Sequence, residues 1–334
     1  MTVLQQQAFE VREASQVGQL RRAVAQHTAR LGFDEVAAGR AALVATELGH
    51  NLVRHAQDGW CLVGTPDAGT VELLALDHGP GMDDPQRCLD DGFSTGPTPG
   101  TGFGAVRRLS REFGVYSRPG VGTVVLSRVG PPVPVPAIAW GAAHLPAPGE
   151  TVCGDGFAVQ VDGHGACALL LDGLGHGPQA AAAAQAGLAV LAAPRRPPGP
   201  AALLDEVHRA LQGSRGAAGS ALSLDAAEGN VRFAGIGNVT GRLLSGVADR
   251  SLLGGHGTLG LQTRRAQDQV LAWPPHTLAL LHSDGLASRW TLADEPGLLQ
   301  QDPAVIAAWL LRRHRRGRDD ASVVVLRRGA ARNA

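Results

Sequence analysis

Residues 130–136 read Gly130-Pro-Pro-Val-Pro-Val-Pro136, and a chain cannot be helical there or pair that run inside a sheet. Each proline ring removes a backbone donor and holds φ near about −65°. The run is therefore a stiff, extended connector. It divides 334 residues into two parts, each long enough to bury a hydrophobic core. A second proline cluster, Pro194-Arg-Arg-Pro-Pro-Gly-Pro200, falls between two helical patterns and reads as a loop within the second part. No internal repeat accompanies the division.

Composition narrows the class. Hydrophobic residues make up 44% of the chain and charged residues 18%, the balance of a soluble globular protein. Formal net charge is zero, which provides no electrostatic footprint for nucleic acid or an anionic membrane. Every basic side chain is Arg, so no lysine clamp for phosphate is available. Cys61, Cys88, Cys153 and Cys167 lack the spacing of a zinc site or redox pair and read as reduced thiols. The start of the chain has no basic, apolar leader pattern, and no run approaches the ~18 apolar residues that a membrane span needs. A cytoplasmic protein is expected.

Periodicity orders the elements. Before the seam, helices are expected at about Ser15–Leu31, Asp34–Gln57 and Phe103–Arg111, with strands near Trp60–Gly64, Val71–Asp77, Phe113–Ser117 and Gly122–Val129. After it, strands near Phe157–Val161 and Ala166–Leu171 precede helices near Pro178–Ala192 and Ala201–Gln212. Further strands are expected at Ser220–Leu224, Asn230–Ile236, Thr240–Ser245, Gln269–Trp273, Thr277–His282 and Ser322–Arg327, with a helix at about Pro303–His314.

Three features of the first part point to a nucleotide. Glu47, Asn51 and His55 are spaced i, i+4, i+8 and share one helix face, beside a buried stripe of Val44, Leu48 and Leu52. An Asn oxygen suits Mg²⁺, and a neighbouring Glu can accept a hydroxyl proton. Asp77-His-Gly-Pro-Gly81 ends an apolar strand and turns at once, so a flat ligand can approach the backbone and the carboxylate can accept from an exocyclic amine. Gly100-Thr-Gly-Phe-Gly104 leads into a helix and leaves N–H groups for a polyphosphate. Singly, these features also read as helix decoration, a strand-end turn and a common glycine loop.

In the second part, carboxylates sit at strand ends. Asp172-Gly173 ends Ala168-Leu-Leu-Leu171, Asp284-Gly285 follows Leu278-Ala-Leu-Leu-His282, and Asp319-Asp320 opens the last strand. Brought to one edge of a sheet sandwich, they would repel unless metal neutralised them. Oxygen ligands favour Mg²⁺ or Mn²⁺, and two such ions can activate a water and clamp a phosphoryl group. Any one Asp-Gly pair by itself is an ordinary turn.

Taken in order, the first set resembles the nucleotide-binding boxes of the Bergerat ATP-binding fold. Glu47-Leu-Gly-His-Asn51 with Asp91-Gly-Phe-Ser-Thr-Gly96, Gly102-Phe-Gly104 and Val106-Arg-Arg-Leu109 resembles the RsbT-type serine switch kinases across nearly all of residues 5–130. That resemblance implies Glu47 as catalytic base, Asn51 as Mg²⁺ ligand and Asp77 as adenine reader. It also implies that Gly79, Gly81, Gly100, Gly102 and Gly104 shape an ATP pocket, and that Thr123 closes it. Gly154-Asp155, Asp172-Gly-Leu-Gly-His-Gly177, Gly235-Ile-Gly-Asn-Val239, Ser283-Asp-Gly285 and Gly317-Arg-Asp-Asp-Ala-Ser322 resemble the SpoIIE/RsbX branch of metal-dependent serine/threonine phosphatases across about residues 138–328. By that likeness Asp172 bridges two Mn²⁺ or Mg²⁺ ions, Gly173 lends its carbonyl, and Asp155, Asp284, Asp319 and Asp320 complete the shells. No Arg is recognisable as a phosphate clamp, and His176 reads as a solvated loop histidine rather than a ligand.

The two resemblances imply an α+β chain: a Bergerat-type α/β two-layer sandwich over residues 1–130, a linker at 131–137 and an αββα phosphatase sandwich over 138–330. They imply a switch that adds phosphate to a partner, an STAS-domain antagonist or another phosphoprotein of a partner-switching pathway, and removes it from the same or a related one. The alternative is a phosphatase whose first domain is a non-catalytic nucleotide- or partner-binding module.

Overall fold

The structure is a computed structural model describing residues 6–87, 102–134, 136–163, 165–192 and 197–328. The chain divides into two compact units, Gln5–Val133 and Pro134–Ala334, with the boundary inside the proline run.

The first unit is one sheet covered on one face by helices. Its strands β1 (Gln7–Glu10), β2 (Trp60–Asp67), β3 (Thr70–Asp77), β4 (Glu112–Arg118) and β5 (Gly122–Val129) lie in the order β1-β2-β3-β5-β4. Helices α1 (Ala14–Arg30), α2 (Glu35–His55) and α3 (Gly102–Leu109) pack on it. Asp34 caps α2 by accepting from the Ala37 N–H at 2.7 Å, which satisfies one of the donors a helix start leaves open. Val44, Leu48 and Leu52 are buried with Val71, Leu73 and Val125, so the predicted stripe of α2 is the face that meets the sheet. Arg128 on β5 lies between Glu72 of β3 and Glu112 of β4, donating to each at 2.8 Å. This pair of charge-assisted bonds ties three neighbouring strands by their side chains.

The second unit has two five-stranded sheets. One contains β7 (Asp155–Val161), β8 (Gly165–Gly173), β9 (Ala217–Asp225), β10 (Asn230–Ile236) and β13 (Gln269–Ala272) in the order β13-β10-β9-β8-β7. The other contains β6 (Ile138–Leu145), β11 (Thr240–Leu244), β12 (Asp249–Leu252), β14 (Leu278–His282) and β15 (Ala321–Arg328) in the order β12-β11-β14-β15-β6. Phe157, Leu170, Leu222 and Phe233 of the first sheet share a core with Ile138, Leu281, Val324 and Leu326 of the second. Helices α4 (Pro178–Leu188) and α5 (Pro200–Ala210) cover the outside of the first sheet, and α6 (Pro303–His314) covers the second. The layering is αββα, and with the first unit the chain is α+β, as expected.

Most strand and helix boundaries agree with the periodicity to within a few residues. Three strands carried no readable signal. β1 and β12 have four residues each, too short to display a period. β6 is Ile-Ala-Trp-Gly-Ala-Ala-His-Leu, whose central Gly-Ala-Ala has weak strand preference and breaks the pattern. Its small size serves packing: a Cβ on Gly141 would fall inside the Ala304 backbone at the start of α6. Backbone cannot rotate away as a side chain can, so Gly141→Ala should cost about 1–3 kcal/mol through overpacking. For a unit of this size, the expected loss is about 2–4 °C in melting temperature per kcal/mol, measured by thermal unfolding.

Candidate active sites

In the first unit, α2 places Glu47 and Asn51 one turn apart on a half-buried face, and α3 begins directly beside them. A Cβ on Gly102 would lie 3.4 Å from Glu47 Oε2 and 3.4 Å from Asn51 Oδ1. The glycine that starts α3 thus meets both side chains at ordinary contact distance. Asn51 Nδ2 is buried and has no hydrogen-bond partner among the described residues, a condition that usually marks a group awaiting a ligand or water. Gly104 is buried on the same helix.

Asp77 ends β3, and its Oδ1 accepts from the Gly79 N–H at 2.6 Å, the geometry of a tight turn. The chain then folds back on the end of α2: a Cβ on Gly79 would sit 2.6 Å from the His55 carbonyl oxygen. Gly81 has φ +69°, and a Cβ there would overlap the Arg118 carbonyl. Only glycine satisfies both demands at Gly81. Across the sheet, Thr123 is the direct partner of Asp77, and its hydroxyl lies 2.9 Å from Ser117 Oγ. Ser117 Oγ also accepts from the Met82 N–H at 2.8 Å. Asp77, Gly79, Gly81 and Thr123 therefore meet at one end of the sheet, with Ser117 as an unforeseen member. His55 contributes its backbone to that contact, and its imidazole is exposed. Gly100, Cys88 and the Asp91–Gly96 motif lie outside the described residues.

In the second unit, strand register assembles the carboxylates. Asp155 opens β7 and pairs directly with Asp172 near the end of β8. The loop before β7 is tied to the same place, because Gly173 N–H donates to the Gly154 carbonyl at 3.3 Å. From the opposite sheet, Ser283 Oγ donates to Asp155 Oδ2 at 2.7 Å, and the Ser322 N–H donates to Ser283 Oγ at 3.0 Å. Asp320 Oδ1 accepts from the Ala147 N–H at 2.8 Å, joining the start of β15 to the loop after β6. Asp284 Oδ2 accepts from Asn238 Nδ2 at 2.7 Å. Asp319 Oδ1 accepts from the Asp320 N–H at 2.9 Å and is exposed.

The glycines beside these acids have a different purpose from the turns that Asp-Gly pairs suggest. A Cβ on Gly173 would overlap the Ala180 carbonyl in α4, and one on Gly285 would overlap the Asp320 carbonyl. Neither residue has positive φ. They are glycines because two backbones pass too closely for a side chain.

Electrostatics records the crowding. Burial raises the affinity of Asp172 for its proton, and the charges of Asp155, Asp284, Asp319 and Asp320 add to that, pushing it up to about 9. Asp155 is pushed up to about 7, chiefly by burial, against the stabilising hydroxyl of Ser283. Asp155 Oδ1 is buried with no hydrogen-bond partner among the described residues. Among the described residues, no three His, Cys, Asp or Glu side chains form a ready-made metal cage. What the structure provides is a facing carboxylate pair with a buried, unused oxygen and further acids around it. That donor set fits Mg²⁺ or Mn²⁺, which take oxygen ligands and keep much of their water.

Sequence reasoning gave no role to Ser283 or Asn238, although both lie inside motifs it singled out. The Ala147 N–H has no side-chain signal by which it could have been found. His176 is exposed, and its Nδ1 lies within hydrogen-bond distance of Glu150 Oε1 at 2.6 Å, so it belongs to a loop contact with that carboxylate.

The comparisons follow this division. Residues 9–128 match the histidine kinase-like ATPase domain, and residues 162–329 match the stage II sporulation protein E (SpoIIE) family. The chain belongs to the SpoIIE family of phosphatase domains, fused to an RsbT-like kinase domain of the histidine kinase-like ATPase class. The serine/threonine-protein kinase RsbT of Bacillus subtilis (strain 168) is 36% identical over 98 residues, covering 28% of this chain and 74% of that protein. A solved structure described as the bacterial stressosome, a modular system adapted to control secondary messenger signalling, superimposes with a TM-score of 0.52 at 26% identity. That overlap covers 57% of this chain and 99% of the other. A structure of RsbX in complex with magnesium overlaps with a TM-score of 0.47 at 20% identity, covering 57% and 94% respectively. No helix among the described residues is long and apolar enough to cross a membrane.

The carboxylate pair has a consequence for stability. Both aspartates hold a proton more tightly when folded than in the unfolded chain, where an Asp titrates near ~3.9. The metal-free protein keeps this contribution below about pH 4 and loses it as pH rises through the raised values of about 7 and about 9. Added Mn²⁺ should therefore raise the melting temperature more at about pH 9 than at about pH 5. Melting curves in chelator and in Mn²⁺ at both pH values would measure this, and a pH-independent gain would contradict it.

Proposed function

We propose that this chain is a bifunctional switch, in which residues 1–130 phosphorylate a Ser or Thr of a partner and residues 138–330 remove phosphate from the same or a related partner. Residues 131–137 connect the two. The observation that carries the phosphatase reading is the direct pairing of Asp155 with Asp172, ringed by Asp284, Asp319 and Asp320. Two Mn²⁺ or Mg²⁺ ions held by Asp172, Asp155 and the Gly173 carbonyl, with Asp284, Asp319 and Asp320 directly or through water, would supply an activated water and charge neutralisation. Ser283 holds Asp155 in place, and Asn238 holds Asp284. Asp155 and Asp284 therefore each have one oxygen bound to protein, the arrangement by which outer partners orient ligands.

In the kinase half, Glu47 accepts the proton of the substrate hydroxyl as that oxygen bonds to the γ-phosphorus and the bond to ADP breaks. Asn51 would hold the Mg²⁺ that accompanies ATP, and Asp77 would accept from the adenine amine. The Gly102–Gly104 turn sits against Glu47 and Asn51, where the phosphates would lie. The partner is an STAS-domain antagonist or another phosphoprotein of a partner-switching pathway, and the chain acts in the cytoplasm. The kinship of the first domain to a serine/threonine-protein kinase supports the choice of hydroxyl acceptor. Placing both activities on one chain raises the effective concentration of each near the other's target.

Two variants separate the halves. Asp284→Asn should slow phosphate release from a serine-phosphorylated STAS protein in Mn²⁺ by about 10–100-fold, measured as inorganic phosphate. Equal release by both forms would remove Asp284 from the site, and no release by the native chain would sink the phosphatase reading. Glu47→Ala should lower ATP-dependent phosphorylation of the unmodified partner by about 10²-fold or more while ATP affinity holds within about twofold. An unmodified partner that the native chain cannot phosphorylate, with ATP bound, would make the first domain a regulatory module.

A further inference from the structure

The five acids of the phosphatase site carry no positive charge to receive a dianionic phosphate, and the sequence offers no recognisable arginine for that task. Arg315 lies near Asp320 but donates to the Pro146 carbonyl. The turn after α5 supplies another arginine. Arg215 lies in the turn that leads into β9, and its Nη1 would be 3.3 Å from a Cβ placed on Gly175. Gly175 is three residues past Asp172, in the loop that runs from β8 to α4, so the guanidinium rests on that loop's backbone.

Three backbone features hold Arg215 there. Ser214 Oγ accepts from the Gly216 N–H at 3.0 Å and donates to the Leu211 carbonyl at 2.7 Å, which closes the turn around Arg215. Gly216 takes φ +82°, and a Cβ on it would sit 2.6 Å from the Leu259 carbonyl oxygen. The Leu174 N–H donates to the Gly216 carbonyl at 3.0 Å, which ties the turn to the residue after Gly173. Strand register completes the link, because Asp172 pairs with Ala218 and Gly173 with Ala217. The backbone of the turn that carries Arg215 is therefore tied to Asp172 through the paired strands that follow it.

Its head group is also available. Arg215 is exposed and makes no hydrogen bond or ion pair among the described residues. In the same unit, Arg242 is committed to Asp249 and Arg315 donates to the Pro146 carbonyl. A guanidinium stays charged at every relevant pH and presents a planar fork that matches two oxygens of a phosphate.

We propose that Arg215 is the phosphate anchor of the second domain, donating to the non-bridging oxygens of a phosphoserine or phosphothreonine whose ester bond faces the carboxylate cluster. This rests on the phosphatase reading above and adds to it the group that receives the substrate. It also predicts that the free phosphate product binds the same side chain.

The test is titration of the full-length protein, loaded with Mn²⁺, with inorganic phosphate by calorimetry, alongside turnover of the phosphoserine STAS protein. Arg215→Ala should weaken phosphate binding about tenfold and raise KM by a similar factor, with Mn²⁺ affinity unchanged. Arg215→Lys should recover part of the affinity, because it restores the charge without the fork. Arg250→Ala removes a positive charge from exposed β12 and should leave phosphate binding within about twofold. Phosphate affinity and KM that are unchanged in Arg215→Ala would overturn the anchor, as would a native protein that binds no phosphate. Arg215-dependent phosphate binding without turnover of any phosphoprotein would uphold the anchor and count against the phosphatase reading alone.

Discussion

Two carboxylates placed opposite one another on hydrogen-bonded strands repel, and they do so more strongly as the surrounding protein excludes water. Asp155 and Asp172 are such a pair, and the second unit is arranged around the need to keep them there. Ser283 crosses from the other sheet to take one oxygen of Asp155. Asp320 accepts from the loop that follows β6, and Asn238 takes one oxygen of Asp284. What remains is a set of oxygens that protein donors do not satisfy, at the edge where both sheets end. A divalent cation is the simplest partner for that arrangement, and the cost of leaving these acids without metal rises with pH because they are buried and because they repel.

The glycines at this edge follow from the same requirement. Carboxylates from β7, β8, β14 and β15 approach one another only if the backbones that carry them pass almost in contact. At Gly173 and Gly285 there is no room for a Cβ, so the Asp-Gly pairing reflects close approach of two chains. In the first unit, Gly81 combines both reasons for glycine, a left-handed φ and an adjacent carbonyl. Both sites are thus built where strand ends and helix starts converge on glycine-lined backbone, which is where a phosphate or nucleotide can lie closest to main-chain donors.

Much of this was legible in the sequence because it rests on local periodicity. The stripe of Val44, Leu48 and Leu52 gives α2 its buried face, and the same 3.6-residue period puts Glu47 and Asn51 on the adjacent one. The acids at 172 and 284 stood out because each lies at the end of a strand with an apolar run, Ala168–Leu171 and Leu278–Leu281. Ser283, Asn238 and Arg215 were not assigned roles, since a serine, an asparagine or a surface arginine has no distinctive spacing. Their value depends on which strand end lies opposite. β6 was invisible because Gly141-Ala-Ala143 at its centre, where Gly141 admits α6, are poor strand formers.

The sequence by itself determined the two-part division, since a run of prolines can neither continue a helix nor join a sheet interior. It determined most elements, because hydrophobic periodicity is a property of neighbouring residues, and it named the acids as a set through their motifs. Only the tertiary structure decided which acids face each other, which glycines stand for contact rather than for turns, and which arginine reaches the loop after Asp172. Those facts depend on strand register between residues far apart in the chain. A shift of one residue in that register would move every side chain to the opposite face.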